Sequence, residues 1–67
     1  MKTSQTFEIK FELWDKGNYK EAGDYLSDES FLITLEHGRM TQALAHNIAS
    51  KIYPLYDIKD IKIECIN

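Results

Sequence analysis

From Thr6 to Trp14 the chain alternates apolar and polar positions, with Phe7, Ile9, Phe11 and Leu13 on one side and Glu8, Lys10, Glu12 and Trp14 on the other. A period of two sends successive side chains to opposite faces of a strand, so this run predicts a strand with one buried face over about 6–14. The alternation stops at Asp15-Lys16-Gly17-Asn18, a cluster of turn-forming residues, and Gly23 interrupts any long helix after it. It resumes at 31–36, where Phe31, Ile33 and Leu35 point inward and Leu32, Thr34 and Glu36 outward. Beyond His37 and Gly38 the apolar period becomes 3.6: Leu44, Ala45, Ile48, Ala49 and Ile52 share a stripe, with Gln42, His46, Ser50 and Tyr53 opposite. That pattern predicts a helix over about 41–53. Thr41 is its N-cap, its hydroxyl accepting from an unpaired first-turn amide, and Pro54 stops it because proline has no amide proton. A third strand follows over 58–66, with Ile61, Ile63 and Cys65 inward and Lys62, Glu64 and Ile66 outward.

The order β-β-α-β predicts a small α+β fold. One helix covers one face of a three-stranded sheet, which is why each strand has one apolar row and one mostly charged row. The first two strands are expected as antiparallel neighbours. A crossover through the helix then brings the third strand in parallel to the second on the far side of the first, giving the order 2-1-3.

Sixty-seven residues make one domain spanning 1–67. A chain this short buries only about 60% of the surface its unfolded form exposes, so it needs very regular packing, a cross-link, a metal or a partner copy. Its single cysteine, Cys65, cannot form an internal disulfide, and His37, His46 and Cys65 lack zinc-ligand spacing. A homodimer is therefore one expectation. With 43% hydrophobic and 28% charged residues, the composition is that of a folded globular domain. The first residues, Met1 to Thr6, have no apolar run behind them, and no stretch is long enough to cross a membrane, so the expected compartment is the cytoplasm.

Charge sharpens the picture. Between Glu21 and Glu36 lie five acids (Glu21, Asp24, Asp28, Glu29, Glu36) and no Lys or Arg, giving −5; six acids and eight bases elsewhere give +2, hence the net −3. Most of this acidity falls in a loop expected over 15–30, far longer than a usual hairpin connection. Tyr19, Asp24, Tyr25, Asp28 and Glu29 are its expected protein-binding residues: tyrosines supply contact area, and carboxylates orient a basic partner. Trp14, Leu32 and Ile66 stand out as apolar residues on the charged, uncovered face, where they predict a second contact patch.

Other chemistries find less support. His37, His46, Ser50 and Cys65 could in principle work as acid, base or nucleophile, but no phosphate loop, nucleophile elbow or paired His/carboxylate motif accompanies them. Neither an enzyme nor a cofactor is expected. The loop acids do not follow the alternating ligand pattern of a calcium loop, so no metal is expected either. The lysines and the arginine are dispersed rather than striped, which argues against nucleic acid. A weak nucleic-acid module using Trp14, Lys10 and Lys62 on the open face remains the alternative to protein binding, with a structural homodimer subunit as a third reading.

The run from Thr41 to Lys59, followed by a short strand, resembles the helix-to-last-strand unit of very small phage and mobile-element proteins, including some β-β-α-β anti-CRISPR proteins. The resemblance covers about half of the chain and rests on pattern rather than on a diagnostic motif. It implies a stoichiometric inhibitor that binds a host protein, presenting acidic groups to a basic site. It carries no functional residue to any position here.

Overall fold

β1 (Gln5–Asp15) is the middle strand of the sheet, flanked by β2 (Tyr25–Leu35) and β3 (Tyr56–Cys65) in the order β2-β1-β3. The structure, a computed structural model, describes residues 4–66. Both neighbours run antiparallel to β1, so β2 and β3 point the same way, connected through helix α1 (Gln42–Ile52). The α+β class and the strand order are those the alternation predicts.

The strict alternation of β1 explains its central place, since its apolar row is covered along its whole length. Phe7, Ile9, Phe11 and Leu13 are all buried, Ile9 completely, and they form the core with Ala45, Ala49 and Ile58. The two alanines bring the helix close against the sheet, nearest to β3. Thr41 caps α1 as expected, its hydroxyl accepting from the Leu44 amide at 3.1 Å. Two helix assignments change. Ile52 is 51% exposed, while Tyr53, expected on the wet side, packs on the core with its ring 5.9 Å from that of Phe11. Tyr53 is the C-cap, with non-helical φ and ψ, so the 3.6 period no longer fixes where its side chain points.

The element bounds also differ from expectation. β2 begins at Tyr25 rather than Phe31, so the connection from β1 is much shorter than 15–30. Residues Ser27 to Ser30 carry no apolar alternation and are drawn into the sheet by pairing: Phe11, Glu12 and Leu13 lie opposite Glu29, Asp28 and Ser27. The remaining connection is tied down. The Asp15 amide donates to the Asp24 carbonyl and the Asn18 amide to the Glu21 carbonyl, both at 2.8 Å, while Asn18 Oδ1 accepts from the Lys20 and Glu21 amides. A Cβ at Gly23 would collide with the Asp15 carbonyl, so the chain can pass there only as glycine.

Two bulges set which residues share a face. Between Leu13 and Trp14 on β1, β2 advances from Ser27 to Tyr25, leaving Leu26 as its extra residue. Between Lys10 and Glu12, β3 advances from Lys62 to Lys59, one residue more than β1. The second bulge contains Asp60, whose φ of 54° is a left-handed conformation that aspartate tolerates better than most residues. It lets Ile58, Ile61 and Ile63 face the helix despite the three-residue step from Ile58 to Ile61. Cys65, expected as a buried inward residue, is exposed: it lies opposite Phe7 at the end of β3. Among the described residues, no helix is long and apolar enough to cross a membrane.

Candidate functional site

The face of the sheet away from the helix is laid out in cross-strand rows. Thr6 faces Thr34, their hydroxyls 2.9 Å apart. Glu8 lies between Leu32 and Glu64, Lys10 between Ser30 and Lys62, Glu12 between Asp28 and Lys59, and Trp14 between Tyr25 and Asp57. Like charges therefore oppose each other three times, at Glu8/Glu64, Lys10/Lys62 and Glu12/Asp28, although directly opposed like charges are unfavourable. Lys10 is partly balanced by Glu8 on its own strand at 3.7 Å, and Lys62 by Asp60 at 3.8 Å.

The most built part of this face is its Trp14 end. The Trp14 indole N–H donates to Glu12 Oε1 at 3.0 Å, which fixes the ring. Tyr25 meets it edge-on with centroids 5.8 Å apart, and the Lys59 ammonium lies 4.4 Å from the Trp14 centroid. Hydrogen bonding towards Asp28, then burial, then the charges of Asp28, Glu12 and Glu29 raise the Tyr25 pKa above the usual value. Tyr25 and Asp28, three residues apart, share this face only because the bulge at Leu26 shifts the phase between them. A shallow depression of about 310 Å³ adjoins the cluster, lined by Lys10, Glu12, Asp28, Ser30, Asp60 and Lys62 among others. The result is an aromatic pair ringed by the carboxylates of Glu12, Asp28 and Asp57, with one cation already over the indole.

Of the residues expected to bind a partner from a loop, only Tyr25 and Asp28 come together, and both stand on β2. Tyr19 is 92% exposed in the connection, with Lys20 Nζ 5.5 Å from its ring centroid. Asp24 precedes β2 and is exposed. Glu29 turns to the helix face, where Ser27 donates to it at 2.7 Å and the Tyr53 phenol at 3.4 Å. Burial, followed by the charge of Glu29 and this hydrogen bond, raises the pKa of Tyr53.

The expected patch of Trp14, Leu32 and Ile66 does not form. Leu32 is exposed beside Glu8, six positions along β1 from Trp14 and hence about 20 Å away, and Ile66 lies a row further. Glu12, Asp57 and Lys59 complete the cluster without having been singled out in the sequence. The signal for Glu12 was present, since it shares the outward row of β1 with Trp14; Asp57 and Lys59 depend on pairing between distant strands.

For the other candidates, Ser50 Oγ lies 3.4 Å from His46 Nδ1 on the exposed side of the helix. Among the described residues, no three His, Cys, Asp or Glu side chains are grouped so as to hold a metal ion. Comparison with protein-family models, curated proteins and solved structures finds no match to this chain.

Proposed function

We propose that this chain is a non-enzymatic protein-binding module of the cytoplasm whose Trp14 end receives a cationic side chain, and with it a basic segment, of a partner protein. The supporting observation is the Lys59 ammonium 4.4 Å from the Trp14 ring centroid, on a face where Glu12, Asp28 and Asp57 occupy the neighbouring cross-strand positions. A cation over an indole face gains from the ring quadrupole, about 0.5–1 kcal/mol at an exposed site and more when desolvated. The opposed Glu12 and Asp28 give a second cation something to neutralise. Lys59 then acts as an internal stand-in that a partner arginine or lysine displaces. A stoichiometric inhibitor that occupies a basic site on a host protein, as the resemblance to small phage proteins implies, would use an end of this kind.

Trp14 is the only tryptophan, so its emission reports on the site directly. A labelled oligo-arginine peptide should bind at low salt, change Trp14 emission and weaken as salt rises. Lys59→Ala should tighten binding by removing the competitor, whereas Lys20→Ala, an equal change in net charge, should leave it alone. Asp28→Asn with Asp57→Asn should weaken it. Equal affinity for Lys59→Ala and Lys20→Ala, or no binding at low salt, would refute the proposal.

A further inference from the structure

The two outer edges of the sheet are unlike. The β3 edge carries the bulge at Asp60 with Lys59 and Lys62 beside it, features that keep an edge from pairing. The β2 edge from Ser30 to Leu35 has no lysine, proline or bulge, and its run Phe31-Leu32-Ile33-Thr34-Leu35 includes the strand formers Phe31, Ile33 and Thr34 and no residue depleted from strands. Its inward row is also incompletely covered: the helix lies nearest β3, and Phe31, Ile33 and Leu35 stay only half-buried.

The backbone groups that β2 offers outward follow from one hydrogen bond. The Ile66 amide donates to the Thr6 carbonyl at 2.9 Å, so Thr6, and with it Glu8 and Lys10, directs its backbone groups towards β3. Phe7 and Ile9 then bond to β2, meeting the backbone groups of Ile33 and Phe31. Those of Ser30, Leu32 and Thr34 are left to point away from the sheet. This edge displays N–H and C=O pairs at every second residue along a straight, uncharged run.

We infer that β2 pairs antiparallel with β2 of a second copy, about a two-fold axis at Ile33, to form one continuous six-stranded sheet. A two-fold perpendicular to the sheet keeps helix-side residues opposite helix-side residues, so the axis runs midway between the two copies of a single residue. With Ile33 as that residue, Phe31 meets Leu35 on the helix side, and Leu32 and Thr34 exchange backbone hydrogen bonds on the edge. The same register sets Asp28 and Glu29 beyond the partner strand's end at Leu35, so no carboxylate opposes another or an apolar residue. Neighbouring registers fail on charge. Centring on Leu32 opposes Asp28 to Glu36 and Glu29 to Leu35; centring on Phe31 sets Glu29 against Ile33; centring on Thr34 sets Leu32 against Glu36. The half-buried row of β2 gains cover in the dimer that its own helix does not provide. This pairing does not involve the Trp14 end and stands independently of the function proposed for it.

Sedimentation of the full chain over a range of concentrations should show a monomer–dimer equilibrium. Thr34→Pro removes an outward amide and leaves the backbone ladder to β1 intact, losing only the exposed Thr6–Thr34 hydroxyl contact, and should give a monomer with unchanged far-ultraviolet circular dichroism. Leu32→Lys places a charge on the same edge away from the core and should do likewise, so it decides the matter if the proline variant fails to fold. In a Cys65→Ser background, Ile33→Cys should cross-link to itself on mild oxidation, because a non-hydrogen-bonded pair has Cα atoms about 4.5 Å apart, within disulfide reach. Lys62→Cys, on the other edge, should not. A monomer at every concentration, which would leave the edge to another protein's strand, would overturn the inference. So would a dimer indifferent to both edge variants, or cross-linking through position 62.

Discussion

Deleting Asp60 should leave the fold intact, although removing one residue from a strand normally turns half of it inside out. Ile58 lies opposite Leu13 and Lys59 opposite Glu12, while Lys62 lies opposite Lys10, so Asp60 and Ile61 share the single position opposite Phe11. Without Asp60 the pairs become Leu13/Ile58, Glu12/Lys59, Phe11/Ile61 and Lys10/Lys62, a regular ladder with all three isoleucines still facing the helix. The deletion removes a left-handed aspartate, whose conformation costs roughly 1 kcal/mol, and about 1–2 kcal/mol of backbone ordering entropy. It also removes the Asp60–Lys62 pair at 3.8 Å, an exposed contact worth about 0–1 kcal/mol. The balance is a variant more stable than the parent by about 1–3 kcal/mol. Deleting Lys10 is the contrast. There is no bulge residue to absorb the slip, so either Phe7 and Ile9 or Phe11 and Leu13 turn to the open face. Two large side chains lost from the core at about 1.5–3 kcal/mol each approach the whole stability of a small domain. Urea unfolding followed by circular dichroism separates the cases. An Asp60 deletion that is unfolded, or weaker than the parent by more than about 1 kcal/mol, would show that the bulge is required for packing rather than inserted into it.

Three further outcomes follow from the core, the hairpin and the phenols. Ile9→Ala should cost about 2–5 kcal/mol in chemical denaturation, since Ile9 is fully buried at the centre of the sheet, whereas Leu32→Ala on the open face should stay within about 0.5 kcal/mol. Gly23→Ala should destabilise by about 1–3 kcal/mol through the collision with the Asp15 carbonyl, read as a lower melting temperature; an unchanged melt would mean that the connection moves aside freely. Tyr25 and Tyr53 both have pKa values raised above 10.0, so the folded chain holds their protons at pH values where the unfolded chain releases them. Their contribution is complete below pH 10 and is lost as pH rises through the raised values, so stability should fall on the alkaline side. Replacing both by Phe should flatten that fall in denaturant midpoints measured across pH 10, and an identical alkaline slope would argue against the phenol–carboxylate contacts.

The parts of the fold legible in the sequence are those where one residue's environment depends on its near neighbours. The alternation of Phe7 to Leu13, the cap at Thr41 and the alanine stripe each declare an element, and together they leave few ways to arrange three strands and a helix. The first half of β2 was not legible because its pattern is polar on both faces: Ser27 and Glu29 turn inward, Asp28 and Ser30 outward, and only the partner strand makes them a strand. The bulges were half legible. Ile58, Ile61 and Ile63 cannot share a face in a regular strand, so the three-residue step signalled an insertion on β3. At Leu26 nothing in the composition marks the extra residue. The candidate site suffered most from this, since the acidic stretch divides between two faces of the sheet while Trp14 gathers neighbours from all three strands.

One-sided cover of the sheet explains why the Trp14 end is both wet and ordered. The buried row of β1 ends at Leu13, and Trp14 falls on the side no helix reaches. Its cover has to come from residues of the sheet that keep a polar end in water: the edge of Tyr25 and the stem of Lys59, with Glu12 holding the indole N–H. Such cover is exchangeable in a way that Leu13's is not, because Lys59 gives up about as much on leaving the ring as an incoming cation gains on replacing it. The self-pairing edge lies elsewhere, from Ser30 to Leu35, so a dimer through β2 would carry two such ends, one from each copy. A partner with two basic segments at the matching separation would then be held by both, and its affinity would exceed that for either end by the effective concentration of the second. The two proposals therefore make a joint demand. An edge variant that abolishes dimerisation should lower affinity for a tandem basic ligand while leaving affinity for a single basic peptide unchanged.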